Sequence, residues 1–164
     1  MAKSISWGHE KWTCEKCSYF FPSVYMTDTR AAAHDRHCLW KLGITHVLNS
    51  NHGKMHAQGS HAFYGKTVEY HGVPADDTPS FDMSPYFRPS ADYIHEVLNT
   101  PGAKIFVHCA YGVSRSASLV LAYLMIHHNF TLVDAIRKVK ENRWIFPNRG
   151  FLKQLKTLES TLSK

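Results

Sequence analysis

A cysteine and an arginine bracket a short loop in the run His108-Cys109-Ala110-Tyr111-Gly112-Val113-Ser114-Arg115-Ser116. The apolar segment Lys104-Ile105-Phe106-Val107 leads into it as a strand, and Ser116 to Met125 follows as a helix. The first N–H groups of a helix lack intrahelical partners, and the helix dipole adds positive potential there. A loop curled over that end becomes an anion cradle. Gly112 lets the loop close tightly, and Arg115 offers a planar fork for two phosphate oxygens. The same field acts on Cys109. A fall of its thiol pKa from about 8.5 to roughly 6 is worth about 3.4 kcal/mol, at 1.36 per unit. The thiolate would then be a nucleophile at neutral pH. Ser116 can hydrogen-bond the sulfur when it must leave. A cysteine at a strand end is by itself a small hydrophobe. The full set of apolar strand, His-Cys, Gly, Ser-Arg-Ser and apolar helix is what points to phosphate chemistry.

Phosphate esters need a second element, because an ester oxygen leaves poorly unless it is protonated as it departs. The segment Gly72-Val73-Pro74-Ala75-Asp76-Asp77-Thr78-Pro79 offers two carboxylates. Asp-Asp before Pro also suits a solvated turn, and spacing alone does not choose between Asp76 and Asp77. A third segment, Pro147-Asn148-Arg149-Gly150-Phe151, opens the last helix with Asn148 as its N-cap.

At these residues the chain resembles the cysteine-dependent protein tyrosine phosphatases, and most of all the small atypical dual-specificity phosphatases. The likeness runs over about residues 20 to 160. It implies Cys109 as nucleophile, a phosphocysteine intermediate, and Arg115 as phosphate clamp and transition-state stabiliser. Ala110, Tyr111, Gly112, Val113, Ser114 and Arg115 would line the substrate, and His108 would orient the loop from beneath. Aligned with the family's acid loop, Asp77 falls on the catalytic aspartate and Asp76 on its neighbour. Asn148 would brace the phosphate loop and Phe151 would fill core. The resemblance implies no metal or organic cofactor, and its dual range covers phosphotyrosine and phosphoserine or phosphothreonine. Met26-Thr27 stands where the family usually has Leu or Ile followed by Gly.

The elements that must position these residues alternate. Val24 to Met26, Thr45 to Asn49, Thr67 to Val73 and Lys104 to His108 read as strands. Helices are expected at Arg30 to Leu42, at Ser84 to Asn99 with a bend at Pro89, and at Ser116 to His128. Two more follow at Thr131 to Asn142 and Asn148 to Ser160. This is the pattern of a single α/β domain with a largely parallel central sheet flanked by helices. Ligands bind such sheets at the carboxyl ends of strands, where Cys109 falls. Residues 1–20, rich in aromatics, are read as an N-terminal extension packed on a catalytic domain of residues 21–164.

Composition is consistent with one domain. The chain has 164 residues, 44% of them hydrophobic, enough for a real core. No secretory h-region follows Met1. The longest apolar run, residues 117–126, is too short to span a bilayer. Four cysteines without repeated spacing, one of them expected to be catalytic, suit a reducing compartment, cytoplasm or nucleus. Cys14 and Cys17, with His34, His37 and Cys38 beyond them, are spaced too loosely for a zinc site. His52, His56, His61 and His71 read as loop residues rather than ligands. The net charge of +6 favours anionic partners. Its basic residues are too scattered for a nucleic-acid footprint. Phosphorylated proteins, signalling kinases among them, are the expected partners. The rivals are a phosphatase of phosphoinositides or RNA 5′-phosphates, a non-catalytic phosphate-binding scaffold, and a thiol oxidoreductase using Cys14 and Cys17. Uncharged Ala110, Tyr111 and Val113 favour protein over lipid substrates, with Tyr111 and Val113 at the mouth. The sequence leaves the oligomeric state open.

Overall fold

Every residue of the segment Ile105–His108 is buried, and the strand it forms has a neighbour on each side. Near-continuous apolar runs suit a strand covered on both faces. In the computed structural model of the chain, residues 17–21, 24–27, 43–51, 68–108, 114–141 and 145–163 are described. They form a five-stranded sheet from β1 (Cys17–Phe21), β2 (Val24–Thr27), β3 (His46–Asn49), β4 (Glu69–Gly72) and β5 (Ile105–His108). The spatial order is β1-β2-β5-β3-β4. β5 runs parallel to β2 and β3, β3 runs parallel to β4, and β1 is an antiparallel edge against β2.

Register sets the site. Asn49 pairs with His108 on one side and Gly72 on the other. Three parallel strands therefore release their chains at one edge: Ser50 and Asn51 after β3, the Asp76-Asp77 loop after β4, and residue 109 onward after β5.

Four helices are described: α1 (Ser84–Leu98), α2 (Arg115–His128), α3 (Leu132–Lys140) and α4 (Arg149–Leu162). α2 is buried from Arg115 through Met125, as befits a helix that is apolar nearly all round. α1 packs along it, burying Phe87, Ala91, Ile94 and Val97 at helical spacing. The helix continues past Pro89, which is exposed. There, the missing N–H costs the helix one backbone hydrogen bond.

β1 crosses the expected boundary at residue 21. Cys17 to Phe21 pair with β2, with Cys17 opposite Thr27 and Phe21 opposite Val24. The sheet therefore reaches into the segment read as an extension. The helix expected at Arg30 to Leu42 lies outside the described residues, as do Cys14, His34, His37, Cys38, His52, His56 and His61. His71 lies in β4 and stacks on Tyr93 at 4.8 Å between ring centres.

Candidate active site

The carboxyl end of β5 is locked from beneath. His108 is buried, and its carbonyl accepts hydrogen bonds from the Ser50 N–H at 2.8 Å and the Ser50 hydroxyl at 3.0 Å. Its ring stacks on Phe106 at 5.2 Å. Cys109, Ala110, Tyr111, Gly112 and Val113 lie outside the described residues. The frame that carries them is described on both sides, by His108 and by Ser114, Arg115 and Ser116, all buried.

Ser114 is the N-cap of α2 but does not cap it with its side chain. Its hydroxyl instead accepts from the Asn148 backbone N–H at 2.9 Å. The first amides of α2 are thus left uncovered by the cap residue, as an anion site requires.

Arg115 opens α2 and is only 8% exposed. Its Nη1 donates to Asn51 Oδ1 at 2.5 Å and to the Ala75 carbonyl at 3.1 Å. Its Nε is buried with no hydrogen-bond partner. A buried, unsatisfied N–H on a cation is costly. An anionic oxygen is the group that satisfies it.

The structure also places the loop that carries Asp76 and Asp77. Asp76 and Asp77 are both exposed. Asp77 Oδ1 accepts from Asn148 Nδ2 at 2.9 Å, so one residue joins Asp77 to the start of α2. Asn148 Oδ1 meanwhile accepts from the Phe151 N–H at 2.9 Å and caps α4. The same side chain therefore caps α4 and ties down the Asp77 loop, and Phe151 is core as expected. The loop is tied at further points. The Val73 N–H donates to the Asn49 carbonyl at 2.8 Å. Gln154 of α4 accepts from the Met83 N–H at 2.7 Å and donates to the Phe81 carbonyl at 2.9 Å. Gly150 lies so close to Pro79 that a Cβ there would stand 2.0 Å from the Pro79 carbonyl oxygen.

Gly150 belongs to the Pro147 to Phe151 segment already singled out in the sequence, whereas Asn51 and Gln154 are neighbours of the candidate site that the sequence reading missed. The polar run Asn49-Ser50-Asn51 at the carboxyl end of a strand carried a signal, since that is the ligand edge of a parallel sheet. Gln154 carried none. Among the described residues no group of His, Cys, Asp and Glu is arranged to hold a metal, and no helix is long and apolar enough to cross a membrane.

Residues 24–161 match the family described as dual specificity phosphatase, catalytic domain. The chain is 51% identical over 152 residues to dual specificity protein phosphatase 26 of Homo sapiens, which covers 93% of this chain and 71% of that protein. The crystal structure of human DUSP28 superposes with a TM-score of 0.80 at 28% identity, covering 92% of this chain and 97% of that one. A human tyrosine phosphatase-like serine/threonine/tyrosine-interacting protein superposes at 0.79 and 27% identity, covering 90% and 98%.

Proposed function

The chain belongs to the dual specificity phosphatase family and is a protein tyrosine/serine/threonine phosphatase, and we propose from that premise that Cys109, Arg115 and Asp77 carry its turnover. The Cys109 thiolate attacks phosphorus, and the S–P bond forms as the ester P–O bond breaks. Asp77 gives its proton to the departing oxygen. Asp77 then takes a proton from water as that water attacks the phosphocysteine. The S–P bond breaks, inorganic phosphate leaves, and Ser116 hydrogen-bonds the released thiolate. Arg115 and the loop amides hold the phosphoryl oxygens and stabilise charge in both steps.

One observation carries this reading: the buried Arg115, whose Nε has no partner. It supports an oxyanion seat between α2 and the acid loop. The net charge of +6 supports acidic phosphosegments, signalling kinases among them, as substrates. The catalytic thiol supports a reducing compartment, cytoplasm or nucleus.

Purified protein should hydrolyse p-nitrophenyl phosphate in the presence of a metal chelator, and Cys109→Ser should abolish it. Rapid acid quench followed by mass spectrometry should find phosphate on the peptide containing Cys109. Turnover by Cys109→Ser at the wild-type rate would overturn the assignment.

A further inference from the structure

We propose that Asn51 is a positioning residue for Arg115, holding the guanidinium in the orientation that receives the phosphoryl oxygens. The inference rests on the reading of Arg115 as the phosphate clamp. It concerns a residue outside the phosphate loop, on the segment that follows β3.

A guanidinium carries five N–H donors in a fixed plane. The Nη1 group holds two of them, and both have acceptors: Asn51 Oδ1 at 2.5 Å and the Ala75 carbonyl at 3.1 Å. Two acceptors on one nitrogen fix both the position and the rotation of the plane. The edge formed by Nε and Nη2 is then the one left to meet two oxygens side by side, and Nε is the atom without a partner. An arginine has several rotatable bonds, and ordering them before the ligand arrives removes that cost from binding.

Asn51 is itself held. Its backbone N–H donates to Asn49 Oδ1 at 2.8 Å, and Asn49 Nδ2 donates to the Tyr70 hydroxyl at 2.9 Å. A chain of partners thus runs from β4 through β3 to the first residue of α2. Because a guanidinium only donates, Asn51 must present its oxygen. A neutral amide also suits the task better than a carboxylate. It fixes the guanidinium without neutralising the charge that the phosphate dianion needs.

The test is tungstate binding, read by calorimetry so that no turnover is required. Asn51→Ala should weaken tungstate about tenfold. Asn51→Asp keeps the acceptor but adds a competing charge. It should melt close to wild type and still bind tungstate at least tenfold more weakly. In an Arg115→Lys background, Asn51→Ala should add less than a twofold loss, because its partner is gone. The same tenfold loss in both backgrounds would overturn the proposal. So would Asn51 variants that bind within twofold of wild type while Arg115→Lys binds weakly. If Asn51→Ala does not fold, Asn51→Ser, too short to reach the guanidinium, decides in its place: wild-type affinity there overturns the proposal. Failure of the underlying reading looks different. In that case wild-type protein would not bind tungstate, or Arg115→Lys would bind it as well as wild type.

Discussion

The side-chain amide of Asn148 donates to Asp77 at 2.9 Å while its backbone N–H donates to the Ser114 hydroxyl at 2.9 Å. One residue therefore ties the Asp76-Asp77 loop to the N-terminus of α2. The same side chain caps α4 through the Phe151 N–H, so Asn148→Ala would mix two effects, with about 1 kcal/mol lost from the cap. Asn148→Asp separates them, because a carboxylate still accepts from Phe151 but no longer donates to Asp77. It should melt near wild type. Its kcat/KM for phenyl phosphate should fall about tenfold, and less for p-nitrophenyl phosphate, whose good leaving group needs little protonation. Equal losses on both esters would place the defect in phosphate binding rather than in the acid.

Asp77 and Asp76 are the two candidates for the proton donor, and their variants should separate in rate. Oδ1 of Asp77 is occupied by Asn148, which leaves Oδ2 to carry the proton to the ester oxygen. Asp77→Asn should lower kcat for phenyl phosphate about 10²-fold. Asp76→Asn should change it by no more than a few fold. The reverse ranking would move the acid to Asp76.

Gly150→Ala is a case in which propensity and sterics oppose each other. In an open helix, replacing glycine by alanine gains up to about 1 kcal/mol. Here the new Cβ would stand 2.0 Å from the Pro79 carbonyl oxygen. Overpacking against backbone costs about 1–3 kcal/mol, so the net change should be destabilising. The strain falls on the acid loop, so phenyl phosphate turnover should drop with the melting temperature. A stabilised variant with full activity would show that the loop moves away at no cost.

The elements that carry most of the core were legible because their periodicity was strong. The buried run at Ile105 to His108 and the all-apolar face of α2 dictated a central strand and a central helix. Asp77 was singled out over Asp76 only by the family likeness and Asn148 by its helix-opening segment, and the bond between them could not be foreseen, because their loops are far apart in sequence. Asn51 was missed for a different reason. The Asn-Ser-Asn run at the end of a strand marked a ligand edge, but that Asn51 meets Arg115 shows only once β3 and β5 are placed in register, with Asn49 beside His108. β1 was missed because an edge strand of Cys-Ser-Tyr-Phe-Phe shows no clean alternation, and the C-x-x-C beside it suggested other chemistry.

Acid sensitivity should arise far from the catalytic residues, at the carboxyl end of α2. His128 Nε2 lies 2.8 Å from the hydroxyl of Tyr123, a buried phenol whose pKa burial pushes up to about 12. Nearby, His95 and His127 stack with ring centres 4.0 Å apart, and His127 contacts Asp92 at 2.8 Å. Desolvation, followed by positive potential from His127 and His95, holds the His128 pKa below its ordinary value of 6.5. The unfolded chain then binds a proton at His128 more readily than the folded one. Stability from this group is therefore fully present above about pH 6.5 and is lost as pH falls through the lowered folded value. The melting temperature should drop between pH 7.5 and 5.5. His128→Gln keeps a polar partner for Tyr123 but cannot titrate, so its drop over that range should be smaller. An equal drop in both proteins would assign the acid sensitivity to other groups.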